Sequence, residues 1–142
     1  MKKGFTLIEL LIVLAVIAAL MAVATPMALN AVKNAKASQV AQNFRNLKSA
    51  VENYWNTEKP ANPTNITNWP SGVLVPGYIN AIPANFSIGQ PTAVTGQPGV
   101  YSITITYSGN DVELAKVQAN GMGEVASSGN NLVLTFNVQK WW

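Results

Sequence analysis

The sequence predicts an α+β fold in which a long N-terminal α-helix, its first half suited to a membrane, packs on a small antiparallel sheet of three or four strands. Three patterns carry that expectation. No charged residue occurs over positions 10–32. Helically spaced apolar residues then continue to Tyr54, and strict apolar–polar alternation begins at Val100. A chain of 142 residues holds one small head once a membrane segment is set aside.

Composition narrows the function classes. Hydrophobic residues make up 49% and charged residues 11%, where a typical soluble domain carries roughly 25% charged. A large share of the chain therefore does not face water. Nine Lys and Arg against six Asp and Glu give a formal charge of +3, and Lys2 and Lys3 supply two of those cations. No basic cluster interleaved with aromatics is present, which argues against a nucleic-acid surface. Cys and His are both absent, removing thiol nucleophiles, disulfides, the usual zinc sites and the imidazole base. No catalytic residue, cofactor or metal-ligand set is assigned.

As a helix, residues 10–32 would span about 35 Å at ~1.5 Å per residue, enough for a bilayer core of about 30 Å. Residues 10–24 are apolar without exception and lack the polar face of a buried globular helix. A secretory signal peptide is the competing reading, with Lys2 and Lys3 as its basic region and cleavage near Ala22, Ala24 or Ala28. Against it, the apolar stretch starts at Phe5, outruns an h-region of about 7–15 residues, and carries Glu9 near its beginning.

Beyond the apolar block, Val40, Phe44, Leu47, Val51 and Tyr54 form an amphipathic stripe, with Lys36, Gln39, Asn43, Asn46, Asn53 and Asn56 on much of the other side. No glycine interrupts the chain between Phe5 and Glu58, so one helix of about 50 residues is expected, broken at most near Pro26. Lys59-Pro60 ends it. The following stretch is dense in Pro, Gly and Asn and reads as a long loop with one short element at most.

Tyr101, Ile103, Ile105 and Tyr107 then alternate with Ser102, Thr104 and Thr106, the pattern of a half-buried strand. Ser108-Gly109-Asn110 supplies a turn, and Val112, Leu114 and Val117 predict a second, less regular strand. Asn120-Gly121 and the tract 127–130 mark further reversals. A third strand is expected over 131–140, with Leu132, Leu134, Phe136 and Val138 on one face. The predicted division is a leader at 1–4, a hydrophobic membrane or filament-core helix at 5–32, and at 33–142 the amphipathic helix with a globular β head.

The run Lys2-Lys3-Gly4-Phe5-Thr6-Leu7-Ile8-Glu9-Leu10-Leu11-Ile12-Val13 closely resembles the prepilin processing site of type IV pilins, pseudopilins and competence pilins. The likeness is sharpest over about the first 26 residues. It implies cleavage after Gly4 by a membrane-embedded prepilin peptidase, N-methylation of the new amino group of Phe5, and an assembly role for Phe5 and Glu9. Pro26 resembles the proline at which many pilin helices bend. The implied partners are other subunits of the same filament, the peptidase, the assembly machinery of the inner membrane, and lipid before assembly. Two functions share this resemblance. One is a structural subunit of a type IV pilus or related filament serving adhesion, motility or DNA uptake; the other is a type II secretion or competence pseudopilin in a short periplasmic filament. Either implies a single-pass inner-membrane protein with an exported head, which then joins an extracellular pilus or a periplasmic pseudopilus. A third class, a membrane-anchored enzyme or solute-binding head, finds no nucleophile and base constellation to support it.

Physical chemistry gives Glu9 and Pro26 separate weight. A carboxylate at the membrane edge costs on the order of 2–3 kcal/mol, so Glu9 needs a partner. Processing would create one, the Phe5 ammonium, one helical turn away; the bland alternative is a side chain that snorkels to the headgroups. Pro26 lacks an N–H and so frees the Ala22 carbonyl, which bends a helix. Asn110, Asp111 and Glu113 read as a solvated turn rather than Ca²⁺ ligands. The tract 74–83 resembles the post-helix loop of pilins and pseudopilins, yet Asn85 and Phe86 stand where calcium-binding pseudopilins commonly carry an acidic residue and Trp-Gly. Trp141 and Trp142 are expected to pack on the head.

Overall fold

The computed structural model describes residues 4–142; Met1, Lys2 and Lys3, and with them the basic part of the predicted leader, lie outside the described residues. Helix α1 (Leu7–Glu58) runs 52 residues and continues through Pro26 unbroken. Without an internal glycine, nothing else in the segment offers a break. It ends where Lys59 takes a left-handed backbone (φ 49°) ahead of Pro60, a residue that cannot prolong the helix.

The chain divides into two compact units after Ala35. In the first unit, every described residue is exposed. Residues 36–58 belong to the second, where Ala37, Val40, Phe44, Leu47, Val51 and Trp55 are buried at the spacing the sequence shows. They share one core with Ile103, Ile105, Leu132, Leu134 and Val138 of the sheet. Burying the stripe of a helix against the apolar face of a sheet satisfies both at once.

The sheet is antiparallel throughout and has five strands: β1 (Phe86–Ile88), β2 (Thr92–Ala93), β3 (Val100–Tyr107), β4 (Ala126–Ser128) and β5 (Asn131–Gln139). β3 and β5 are its centre, paired over eight residues from Val100 opposite Gln139 to Tyr107 opposite Leu132. Both β1 and β2 lie along the other side of β3, and β4 lies along β5. The strands expected from alternation are therefore present, but three or four was an undercount. Segments of two or three residues, such as β1, β2 and β4, are too short to display a period.

One expected strand is instead a helix. Leu114 and Val117 lie in α3 (Leu114–Ala119), in which Val117 is fully buried and Leu114 partly so, while Val112 stands just ahead of it. The spacing of three from Leu114 to Val117 suits a helical face, and Ala115, Lys116 and Gln118 are good helix formers. Its end is held twice: the Asn120 side chain donates to the Lys116 carbonyl at 2.7 Å, and the Arg45 guanidinium donates to the Asn120 carbonyl. Gly121 follows at φ 89°, a backbone glycine adopts without strain.

The long loop after α1 is pinned rather than loose. It holds one short helix, α2 (Ser71–Leu74), with Leu74 buried. Gln90 accepts from the Ile66 N–H at 3.2 Å and donates to its carbonyl at 2.9 Å. The Trp69 indole donates to the carbonyls of Ile88 and Gly89. Trp55, almost wholly buried, gives its indole N–H to the Gln139 carbonyl at 2.9 Å, so its one polar atom is satisfied. Trp142 packs edge-on against Trp55 as expected. Trp141 departs from expectation: it stays 60% exposed, with the Lys59 ammonium 4.4 Å above its ring and its indole N–H donated to Asn56.

Candidate functional site: the start of helix α1

The functional residues expected from sequence cluster at the start of α1. Gly4, Phe5 and Thr6 are non-helical, and Leu7 opens the helix. Phe5 is 85% exposed. A methyl group placed on Gly4 would meet no atom within 4 Å, so the backbone ahead of Phe5 is unobstructed.

Thr6 and Glu9 close a reciprocal pair of hydrogen bonds. The Thr6 hydroxyl accepts from the Glu9 backbone N–H at 3.2 Å, and the Glu9 carboxylate accepts from the Thr6 backbone N–H at 3.1 Å. This is a capping box, in which two N–H groups at the helix start find partners among side chains. Glu9 is also the only acidic residue in the first turn of α1, where the helix dipole favours negative charge. The sequence contained the signal as Thr6-x-x-Glu9 ahead of an apolar run, but the reading above weighed Glu9 only as a charge. The capping role of Thr6 went unread there.

The capping box fixes the local position of the carboxylate. Phe5, Glu9, Leu10 and Val13 border one shallow hollow, so the aromatic ring and the carboxylate face the same side. From Leu7 to the division after Ala35 the helix is exposed throughout and is long and apolar enough to cross a membrane. Pro26 sits within this exposed stretch, opposite no neighbour of its own unit that could buttress a bend.

Asp111, considered as a calcium ligand, is engaged otherwise. It accepts the Tyr107 hydroxyl at 2.5 Å and pairs with the Lys36 ammonium at 3.3 Å, tying the first turn of α1 in the second unit to the end of β3. The Tyr107 hydroxyl, followed by Lys36, holds the Asp111 carboxyl below its usual range against the opposing effect of burial. Burial, then the neighbouring carboxylate, pushes Tyr107 up to about 12. Among the described residues no group of three or more His, Cys, Asp or Glu could hold a metal ion.

Comparison with known proteins places the N-terminal segment. Residues 1–25 match the family model of the prokaryotic N-terminal methylation motif. No curated protein and no solved structure matches the chain. The matched stretch includes Gly4, Phe5, the Thr6–Glu9 capping box and most of the exposed apolar helix that precedes Pro26. The first 25 residues of this chain are thus the prepilin leader and methylation motif of type IV pilins and pseudopilins.

Proposed function

We propose that the chain is a structural subunit of a type IV pilus or related surface filament, anchored in the inner membrane by residues 5–32 until it assembles. The observation that carries this reading is the placement of Glu9: a lone carboxylate, fixed by the Thr6 cap, at the head of a charge-free exposed helix inside a methylation motif. A disposable signal has no use for it. A filament core does, because a charge match between subunits sets axial register where water is excluded.

In this reading a prepilin peptidase cuts between Gly4 and Phe5, the Phe5 amino group is methylated, and the resulting cation meets Glu9 of its own or a neighbouring subunit. Methylation leaves the amine cationic while making it bulkier and less hydrated. Pro26 supplies the bend that lets successive helices pack around a common axis. The heads are then displayed on the outside of the filament.

The motif is shared with pseudopilins, so a short periplasmic filament of a secretion or uptake system is the second reading. Deleting the gene and shearing the cells separates the two. Loss of long surface filaments seen by electron microscopy, restored by the intact chain, supports the pilus; a secretion or uptake defect with no change in surface filaments supports the pseudopilus. Wild-type behaviour in both assays overturns the filament reading.

A further inference from the structure

The head carries a second feature, apart from the Phe5–Glu9 site. Between α1 and the strap at residues 78–83 lies an open groove of about 420 Å³, within the range of about 300–1,000 Å³ typical of small-molecule sites. No charged side chain lines it. Asn43, Asn46 and Asn53 come from one side of α1 and Asn80 from the strap, while Ile79, Ala81 and Pro83 of the strap add apolar surface, with the buried Leu47 and Ala50 beneath. Asn46 accepts from Gln42 at 3.0 Å. Among the described residues, the side-chain amides of Asn43, Asn53 and Asn80 have no hydrogen-bond partner.

The helical spacing explains the arrangement. Positions 43, 46, 50 and 53 fall on one side of a helix, at the margin of the stripe that Leu47, Val51 and Tyr54 bury. Tyr78 closes the groove with a fixed ring: its hydroxyl donates to Glu58 at 2.8 Å, and the ring makes a T-shaped contact with Tyr54 at 5.7 Å. The site is therefore a set of unpaired planar amides around a small apolar floor, with an aromatic ring at one end.

We propose that this groove binds a neutral saccharide unit of a glycan. Each carboxamide offers two donor hydrogens and an accepting oxygen, the complement of sugar hydroxyls that donate and accept at once. The C–H face of a pyranose suits Ile79, Pro83 and the Tyr78 ring, since apolar contact and a few convergent polar groups together define a small-ligand site. Acidic sugars and phosphates are disfavoured, because no cation lines the groove to replace their lost hydration. The proposal does not rest on the filament reading, and it adds a binding activity to the head.

The test uses the full-length chain, ¹⁵N-labelled, in a phosphocholine detergent rather than a sugar-based one. Tri-N-acetylchitotriose, maltotriose and mannotriose are titrated in turn, with sialyllactose as the acidic control, and the side-chain NH₂ signals of Asn43, Asn53 and Asn80 are followed. Saturable millimolar shifts with at least one neutral probe, absent with sialyllactose, are expected. A double variant, Asn53→Ala with Asn80→Ala, should bind about tenfold or more weakly, a difference of about 1.4 kcal/mol, with an unchanged circular dichroism melt because both positions are exposed. No response to any neutral probe overturns the proposal, as does equal binding of sialyllactose or undiminished binding by the double variant. Protection of these amides in assembled filaments, with no sugar response in the dispersed chain, would assign the groove to a second copy and also overturn it.

Discussion

Replacing Glu9 by Ala separates what this carboxylate does for the single chain from what it does for an assembly. In the single chain it accepts the Thr6 N–H at 3.1 Å, and losing that half of the capping box costs about 1 kcal/mol of helix initiation. Removing a carboxylate from the edge of an apolar span returns roughly 2–3 kcal/mol. Membrane insertion of Glu9→Ala should therefore be unimpaired or slightly easier. In the filament the balance reverses. Each added subunit would bury a Phe5 cation whose partner is gone, an error of about 3–5 kcal/mol in a dry site, which lowers the association constant by on the order of 10²–10⁴. Glu9→Gln tells charge from capping, because its amide oxygen still accepts the Thr6 N–H but does not neutralise a cation. The assay expresses each variant in a strain lacking the wild-type copy, then compares membrane-fraction yield, N-terminal mass and filament number. Expected are normal yield and cleavage for both variants, no filaments for Glu9→Ala, and few or short ones for Glu9→Gln. Wild-type filaments from processed Glu9→Ala protein would refute the charge-pairing argument; full rescue by Gln would reduce Glu9 to a cap.

Two further outcomes concern the head. Leu134 is fully buried at the centre of the sheet, so Leu134→Ala should destabilise the head by about 2–5 kcal/mol, read as a lower urea midpoint of the full chain in detergent; an unchanged midpoint would contradict the assigned core. Tyr107→Phe should alter the pH profile at both ends. The depressed folded value of Asp111 contributes stability above its ordinary 3.8 that is lost as pH falls through the lower folded value. The raised value of Tyr107 means that unfolded chains lose its proton from about pH 10 while the folded head holds it to about 12, so stability declines across that window. With Phe at 107 the alkaline decline should flatten and the acid loss should shrink, because the folded value of Asp111 then lies closer to its ordinary 3.8. Identical urea midpoints for the two proteins across both windows would show that the hydroxyl and carboxylate are not coupled.

Much of the architecture was legible because it rests on long periodic signals. A run of 23 uncharged residues, the stripe from Val40 to Tyr54, and the alternations of β3 and β5 each extend far enough to fix their period. What escaped was short or set by tertiary contacts. β1 and β2 have three and two residues and exist because β3 offers them an edge. α3 was read as a strand because Val112, Leu114 and Val117 were matched loosely to alternation, while their spacing of two and three fits a helix entry equally well. Trp141 and Trp142 are neighbours with different fates: only Trp142 reaches the ring of Trp55. At the site, Gly4, Phe5 and Glu9 were legible as a motif, whereas the role of Thr6 emerges from two distances that motif matching ignores. The Asn-lined groove was least visible of all. Asn43, Asn46 and Asn53 read as an ordinary solvated helix face until the strap carrying Tyr78 and Asn80 is laid beside them.

Everything proposed about assembly depends on what happens at the bond between Gly4 and Phe5, which the structure leaves unobstructed. The decisive reading is the intact mass of the protein taken from sheared surface filaments, with fragmentation of its first ten residues. The expected species begins at Phe5 and carries one methyl group on its amino nitrogen. A filament protein that retains Met1, or one that starts near Ala24, would contradict processing at Gly4 and with it the pairing of Phe5 with Glu9.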